Sequence, residues 1–409
     1  MKQFYCYLLC LLFCAQINAQ QSPSSSIKFT NNLKSFKDLQ ALKKVLKDVK
    51  IIALGENTHG LGEVFKVKAD LVKFLHKELG FSLLLFESGY GDAALAWNKI
   101  NKLSARDYTK TFTSYYYYHS EELLDLMMYV KAQSTTNKPL MIQGIDCQPQ
   151  QNYLIQRMVQ LMQPIDAAFA KKAKLEMQSF FYLYQHENKK DSTAFYKQRK
   201  QFTQFINQYE KLLNTKGQKL IPTHATKTEI EAVKRTLQIF RKTYQNVPYG
   251  GMMGWPLSYN IRDKAMFETV QWFRKKYPNQ KIIIWAQNSH IENKPKPRYT
   301  VKWLGHHLKK TYGQSYYSIG AIVYSGRDMR YNKIASFEHK KADYLAYRLN
   351  QYKQTHFLIN LRDKSQPSFL NKPLLGMESN GSEAAFVAKD RFDGLLFIQY
   401  SDVPKLLKK

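Results

Sequence analysis

The chain has 409 residues, of which 44% are hydrophobic and 14% aromatic. This is enough apolar material for a large core, and the composition excludes an intrinsically disordered protein. Its 62 Lys and Arg residues outnumber its 32 Asp and Glu residues, so the formal net charge is +30. Such an excess suits an anionic partner, but the lysines are spread over helical segments and no nucleic-acid-binding motif occurs. The sequence predicts a lysine-rich surface that associates weakly with an anionic envelope and has no nucleic-acid partner.

The first 19 residues have the pattern of a secretory signal peptide. Lys2 gives a basic start, an apolar stretch runs from Phe4 to Cys14, and the segment ends on a small residue, Ala19. The apolar stretch is shorter than a bilayer-spanning helix, although a retained membrane anchor is the alternative. The pattern predicts cleavage after Ala19 and an exported protein, periplasmic or secreted, without a transmembrane segment in the mature chain.

Strands and helices alternate through the first part of the chain and again near its end. Short apolar runs that stop at turn residues predict buried strands, and apolar residues at helical spacing predict helices. Their alternation favours a parallel sheet with helices on its faces. We therefore predict an α/β fold with a mostly parallel sheet flanked by helices. The predicted strands are 49–54, 81–86, 139–143, 281–285, 316–324, 357–360 and 395–400, and the predicted helices of this part are 38–47, 63–79, 91–101, 121–133, 258–276 and 301–312.

The middle of the chain differs, because long lysine-rich amphipathic segments replace the strands. We predict an all-helical insertion that packs over the sheet as a lid or wall, with helices at 153–162, 166–186, 194–213 and 226–244. A polar stretch at 326–341 is predicted to be a connection near the mouth of the pocket. The predicted divisions are a signal peptide at 1–19, a flexible segment at 20–34, a first α/β half at 35–150, the helical insertion at 151–247 and a second α/β half at 248–409.

Ionisable residues stand where the predicted strands end. Glu56 and His59 follow the first strand, Glu87 the second and Asp146 the third. The carboxyl ends of parallel strands share one edge of a sheet, which is where α/β proteins bind ligands, so these side chains are predicted to lie together. The alternative for the first loop is structural, with a helix-capping residue and a histidine that serves only the turn.

These residue types suit water activation at an acyl carbon. Histidine is the usual base near neutral pH, and a carboxylate can orient its imidazole, so His59 with Glu56 or Glu87 is the predicted pair. A cation stabilises the oxyanion that develops, and Lys68 and Arg262 are the candidates. The chain lacks the Gly-x-Ser-x-Gly, Walker and His-Glu-x-x-His motifs of other enzyme classes.

Two further features have alternative interpretations. No cofactor is predicted, but His59, His290 and the carboxylates could instead bind a divalent metal. The aromatic run from Tyr115 to Tyr118 is interpreted mainly as ordinary packing, with a pocket wall for an apolar or sugar substrate as the alternative.

Several separated motifs, in one order, resemble the erythromycin esterase family. The resemblance extends from about Val49 to Leu407 and is weakest in the helical middle. It implies hydrolysis of a macrolide lactone ester without a covalent serine intermediate. The motifs are Leu54-Gly55-Glu56-Asn57-Thr58-His59-Gly60, Phe86-Glu87, Gly144-Ile145-Asp146, Arg262-Asp263, Trp285-Ala286-Gln287-Asn288-Ser289-His290 and Arg391-Phe392-Asp393.

The resemblance also implies roles for individual residues. His59 matches the general base, Glu56 and Glu87 match the carboxylates of that site, and His290 matches the last histidine of the later motif, which makes these four the candidate catalytic residues. The candidate substrate-binding residues are Lys68, Arg262, Asp146, Asn288 and Gln287. The family commonly has His-Asn-x-His where this chain has Gln287-Asn288-Ser289-His290, and an amide cannot act as acid or base.

The sequence therefore supports two functional hypotheses. The first is an exported hydrolase that cleaves a small ester or lactone, with the macrolide ring as one candidate, by means of a water activated by His59. The second is an envelope-associated binding or polysaccharide-related protein on the same scaffold, with altered or no esterase activity. Gln287 and the high positive charge motivate the second hypothesis.

Overall fold

The structure is a computed structural model. It describes residues 26–29, 36–113, 115–148, 152–185, 192–221, 223–246, 256–295, 301–330, 333–377 and 383–408. The predicted signal peptide at 1–19 lies outside the described residues.

A nine-stranded sheet forms the centre of the described chain, and a two-stranded sheet lies apart from it. The strands, in chain order, are β1 Ser26–Phe29, β2 Ile51–Leu54, β3 Phe81–Gly89, β4 Met141–Asp146, β5 Lys281–Trp285, β6 Tyr316–Arg330, β7 Lys333–Glu338, β8 His356–Asn360, β9 Leu374–Met377, β10 Glu383–Phe386 and β11 Gly394–Ser401. Six strands are parallel, in the order β11-β6-β2-β5-β3-β4. Strands β8, β1 and β7 join antiparallel to β11, β8 and β6, respectively.

Helices cover both faces of the sheet. They are α1 Ala41–Val45, α2 Gly62–Leu79, α3 Tyr90–Trp97, α4 Ala105–Phe112, α5 Glu121–Gln133, α6 Asn152–Met162, α7 Ala167–Gln185, α8 Ser192–Lys216, α9 Lys227–Tyr244, α10 Leu257–Lys276, α11 Asn288–Ile291, α12 Leu304–Tyr312, α13 Leu345–Asn350 and α14 Ala388–Arg391. No described helix has the length and apolar character needed to cross a membrane.

The central strands are apolar because both of their faces are buried. Along β2, Ile51 and Ala53 enter one hydrophobic core, whereas Ile52 and Leu54 enter the other. Helices α2 and α5 contribute to the second core, and α3, α10 and the helices of the 152–244 region contribute to the first. The predicted α/β class, a mostly parallel sheet flanked by helices, is confirmed.

Helices α6 to α9 occupy the region in which an insertion is predicted. They share one hydrophobic core with a face of the sheet, and α9 packs on α3 and α10. Thr226 caps α9 through a capping box with Glu229, and Glu229 also accepts a hydrogen bond from Arg157 of α6 (Nε to Oε1, 3.1 Å). The helical segments are therefore packed against the sheet and tied to one another.

The sequence prediction for the stretch at 326–341 was wrong. The polar stretch at 326–341 is mostly a β-hairpin, because β6 continues to Arg330 and pairs antiparallel with β7. The side chains of β7 are mostly exposed, so its sequence lacks the apolar signal of a buried strand. Within the predicted flexible segment at 20–34, Ser26–Phe29 forms β1, whose register places Ser26 opposite Ile359 at the edge of the sheet. The rest of that segment lies outside the described residues.

Candidate active site

The carboxyl ends of four neighbouring strands bring the predicted residues to one edge of the sheet. Glu56 follows β2, Gln287 follows β5, Glu87 lies in the last part of β3 and Asp146 ends β4. The backbone N–H of Gln287 donates to Glu87 Oε2 (2.8 Å), and the backbone N–H of Asn288 donates to the Glu56 carbonyl (2.9 Å). The predicted clustering at the carboxyl edge is present in the structure.

The loop after β2 is fixed by close contacts with β5 and β6. A Cβ atom on Gly55 would lie 2.1 Å from Asn288 Oδ1, so only glycine permits this approach. The Asn288 amide is bound on both sides by Ala321 of β6, since Nδ2 donates to its carbonyl (2.8 Å) and Oδ1 accepts from its N–H (2.9 Å). Further along, Thr58 Oγ1 donates to Asp328 Oδ1 (2.7 Å). The loop that carries His59 is therefore held at both ends.

Glu56 is fully buried and binds three side chains. Oε1 accepts hydrogen bonds from His59 Nδ1 (2.7 Å) and from the Tyr118 hydroxyl (2.8 Å), and Oε2 accepts from Lys68 Nζ (2.6 Å). Burial would raise the pKa of Glu56, but Lys68 and His59 outweigh it and hold the pKa below its usual range. Burial lowers the pKa of Lys68 to about 8, against the attraction of Glu56. We call Glu56, His59, Lys68 and Tyr118 the His59 cluster.

The orientation of His59 follows from its carboxylate partner. An ionised carboxylate only accepts hydrogen bonds, so Nδ1 carries a proton and Nε2 presents its lone pair in the neutral ring. The His59 side chain is 18% exposed, and Nε2 has no hydrogen-bond partner among the described residues. His59 thus has one ring nitrogen, Nδ1, that is fixed by a hydrogen bond, and another, Nε2, that is free to accept a proton.

An aromatic stack covers one face of the His59 ring. The Tyr117 ring lies parallel to it, with centroids 4.5 Å apart at 5°, and Tyr115 stacks on Tyr117 at 5.3 Å. Tyr115 is held by a hydrogen bond from its hydroxyl to Gln148 Oε1 (2.8 Å). The Tyr115 to Tyr118 run, interpreted mainly as packing, therefore contacts the site. The role of Tyr118 as a Glu56 ligand was missed, and the only sequence signal was the aromatic run itself.

A second group of charged residues, the Arg262 cluster, lies beside the first. Arg262 Nη2 donates to Asp146 Oδ2 (2.6 Å) and to Glu87 Oε1 (2.8 Å), and Arg262 Nε also donates to Asp146. The cluster is completed by His290 and Asp263, since His290 Nδ1 donates to Asp263 Oδ1 (2.8 Å). Glu87 lies on β3, Asp146 on β4 and Asp263 on α10. Because Arg262 is also on α10, its guanidinium links that helix to β3 and β4.

His290 is a buried cation. Its Nε2 lies 3.0 Å from Arg262 Nη1 and 3.2 Å from Glu87 Oε1. Burial would lower its pKa, but Asp263 and Glu87 raise the pKa to about 10, which favours the protonated ring that donates to Glu87. Burial would likewise raise the pKa of Glu87, but His290 and Arg262 hold it well below its usual range. A protonated, 2% exposed imidazole cannot accept a proton from water.

The structure thus places the predicted residues in two clusters with different properties. Among the candidate bases, His59 is open to solvent, whereas His290 is enclosed and charged. The roles of Glu87, Asp146, Asn288 and Gln287 in catalysis or binding stay predictions. No group of three or more His, Cys, Asp or Glu residues in the described ranges is arranged to hold a metal, and the Arg262 guanidinium occupies the space between Glu87 and Asp146.

The fold and the site define an α/β protein with carboxylate-bound histidines at the carboxyl edge of a parallel sheet. The family model described as erythromycin esterase matches residues 76–401, and the chain therefore belongs to the erythromycin esterase family. Strands β3 to β11 lie within the matched range, whereas Glu56 and His59 precede it.

Proteins of known description are similar over most of the chain. "Putative hydrolase YbfO" of Bacillus subtilis (strain 168) is 28% identical over 419 residues, which cover 91% of this chain and 89% of that protein. "Erythromycin esterase type II" of Escherichia coli is 26% identical over 325 residues, covering 71% and 73%. A solved structure described as a succinoglycan biosynthesis protein has a TM-score of 0.73 at 20% identity, covering 95% and 98%, and shows the shared fold. The family and the first two relatives support hydrolase activity.

Proposed function

We propose that this protein hydrolyses a carboxylic ester or lactone with a water molecule activated by His59. One observation carries the proposal: His59 Nδ1 is fixed to the buried Glu56 carboxylate at 2.7 Å while Nε2 is open to solvent. This is the arrangement by which a carboxylate sets the tautomer of a general-base histidine. The similarity to an erythromycin esterase from Escherichia coli makes a macrolide lactone one candidate substrate.

The proposed reaction is a direct attack by water. A water oxygen bonds to the acyl carbon while its proton passes to His59 Nε2 and the carbonyl electron pair moves onto the carbonyl oxygen. When that pair returns, the bond between the acyl carbon and the alcohol oxygen breaks, and the leaving alkoxide takes the proton from Nε2. The products are an acid and an alcohol, and no covalent enzyme intermediate forms. Glu56 stabilises the imidazolium that exists between the two steps.

The Arg262 cluster has a supporting role in this proposal. Arg262 pairs with both Glu87 and Asp146 in a buried network, which fixes the ends of β3 and β4 and the start of the segment after β5. We assign His290 to this network as a cation that orients Glu87, because its ring is enclosed and protonated. Glu87 in turn lies close enough to His59 for their charges to interact.

The proposal is tested by incubating the purified protein with erythromycin and with a panel of simpler esters and lactones. Mass spectrometry should detect a product heavier than the lactone by one water, or the separated acid and alcohol of an open-chain ester. Replacing His59 by Ala should lower turnover by roughly 100- to 10,000-fold, the usual contribution of a general base. Full turnover by His59→Ala would contradict the mechanism, and no turnover of any ester by the wild type would contradict the function.

The proposal includes no cofactor. We expect the chelator-treated protein to retain its turnover, since the donor groups of the Arg262 cluster are already paired with a guanidinium. Elemental analysis of the purified protein is the control. Loss of turnover on chelation and its return with a divalent cation would replace this mechanism with a metal-dependent one.

We also propose that the protein is exported and cleaved after Ala19. The basic start, apolar stretch and small terminal residue of segment 1–19 support this. Amino-terminal sequencing of protein recovered from the periplasm or medium should begin at Gln20. Recovery of protein that begins at Met1 from the membrane fraction would favour the retained anchor.

A further inference from the structure

The side-chain amide of Gln287 has an unmet hydrogen-bond donor at the site. Gln287 follows β5 and is 5% exposed, and its backbone N–H donates to Glu87 Oε2. Its side-chain Nε2 is buried and has no acceptor among the described residues. A buried donor without an acceptor destabilises a folded protein, and such groups are rare enough that each calls for an explanation. A ligand oxygen would satisfy this donor.

Gln287 lies between the two clusters. Strand β5 pairs with β2 on one side and with β3 on the other, so the residues after β5 come between the His59 loop and the end of β3. The backbone bonds from residues 287 and 288 to Glu87 and Glu56 fix this position. Gln287 therefore lies at the edge of the sheet between the loop that carries His59 and the end of β3 that carries Glu87.

The two cations predicted to stabilise an oxyanion are already engaged. Lys68 Nζ is bound to Glu56 Oε2 at 2.6 Å, and its side chain is 1% exposed. Arg262 Nη2 contacts Glu87 and Asp146. Lys68 would have to break a buried ion pair in order to reach a substrate oxygen, and so would Nη2 of Arg262, and breaking such a pair is strongly unfavourable. The Gln287 amide can donate without breaking any bond.

We propose that Gln287 Nε2 donates a hydrogen bond to the substrate carbonyl oxygen as it becomes an oxyanion. This inference rests on the proposed hydrolysis and assigns the stabilising group for it. The electron pair that leaves the carbonyl π bond when water adds is placed on the oxygen that faces Gln287, and it returns when the leaving alkoxide departs. The amide gains and loses no proton, so its inability to act as acid or base is no obstacle. Donors of this kind act on the transition state more than on the bound substrate.

The test is Gln287→Met, which keeps the length of the side chain and removes its donor. With para-nitrophenyl butyrate as the probe, we expect kcat to fall by roughly 100- to 1,000-fold, as for removal of an oxyanion donor. KM should change by less than about threefold, because the bond strengthens in the transition state. The thermal midpoint should equal or exceed that of the wild type, because an unmet buried donor is gone.

Gln366→Met is the matched control. Gln366 is also a buried glutamine, but its Nε2 donates to the carbonyl of Asn360 (2.9 Å) at the opposite edge of the sheet. The Gln366→Met variant should keep its kcat. Wild-type kcat in Gln287→Met, or a loss of kcat as large in Gln366→Met, would overturn the inference while the hydrolase proposal stands. No ester turnover by the wild type would overturn both.

Discussion

Glu56 binds three side chains at the centre of the site, and two of them determine its charge. Lys68 is as buried as Glu56 and lies with its ammonium 4.1 Å from the centre of the Trp285 ring. The pair is therefore enclosed by apolar and aromatic groups. Removing one partner leaves the other as an uncompensated buried charge, whereas removing both leaves none.

This gives a prediction for a double-mutant cycle. Lys68→Met should lower the free energy of unfolding by about 3–5 kcal/mol. Adding Glu56→Gln should restore part of that loss while turnover falls further, because His59 loses its carboxylate. Denaturant unfolding measures the first effect, and ester turnover the second.

The control for this cycle is the exposed pair Lys242–Glu268 (3.2 Å, Lys242 side chain 65% exposed). Lys242→Met should change the free energy of unfolding by less than about 1 kcal/mol, as is usual for surface pairs. Strictly additive losses in the Lys68 and Glu56 variants would contradict the assignment of a coupled buried pair.

At the scale of elements, the β6–β7 hairpin supports the loop that carries His59. Beyond its pairing with β2 and β11, β6 presents Asp328 to Thr58 and the backbone N–H of Met329 to the carbonyl of Gly60 (3.3 Å). Arg330 also contacts Asp328. The extension of β6 therefore holds the far side of the loop and fixes the direction of the imidazole.

We predict that Asp328→Ala loosens this loop. The variant should lose about 1–3 kcal/mol of unfolding free energy, because it removes the acceptor of the buried Thr58 hydroxyl. Turnover should fall by about tenfold or more, as expected when a catalytic group is misplaced. Arg327→Ala, in the same strand, breaks the exposed pair with Asp402 (2.6 Å) and should change neither quantity. Unchanged turnover in Asp328→Ala would contradict the supporting role.

The β6–β7 hairpin also shows which kind of strand a sequence pattern does not predict. The buried strands β2 and β5 are uninterrupted apolar runs and were predicted to within about two residues. Among the described strands, β7 pairs only with β6, and its side chains are mostly exposed. Its formation therefore depends on backbone pairing with β6 rather than on its own composition. A polar sequence of this kind is indistinguishable from a loop until its partner strand is known.

At the scale of the whole molecule, the position of the site was predictable and its internal bonds were not. Parallel strand order brings Glu56, Glu87 and Asp146 to one edge whatever their side chains do. The contact between Tyr118 and Glu56 depends on how the segment before α5 returns to the end of β2, and sequence spacing carries no such information. The proton on His290 likewise depends on the joint burial of Asp263 and Glu87 beside it.

Asp92 is a buried carboxyl at the junction between the sheet and the helical region. It lies on α3 and accepts the backbone N–H of Leu154 near the start of α6 (3.2 Å). Burial raises the pKa of Asp92 to about 8, against the effect of that N–H. Because the unfolded chain has a pKa near 4 at this residue, the folded protein binds the additional proton between about pH 4 and 8. The stability that protonated Asp92 contributes is present below pH 4 and is lost as the pH rises through about 8.

We predict that Asp92→Asn removes this pH dependence. The unfolding free energy of the variant relative to the wild type should rise by about 4 kcal/mol between roughly pH 5 and 9. Denaturant titrations at a series of pH values measure the difference. A difference that is constant over the range would contradict a raised pKa at Asp92.

The central claim is that the imidazole of His59 removes a proton from the attacking water. The most direct measurement is chemical rescue of His59→Ala by added imidazole, with ester turnover as the readout. We expect the variant to be nearly inactive, its turnover to rise with the imidazole concentration, and Glu56→Gln not to be rescued in the same way. Turnover by His59→Ala at the wild-type rate without imidazole would contradict a role for His59 as the general base.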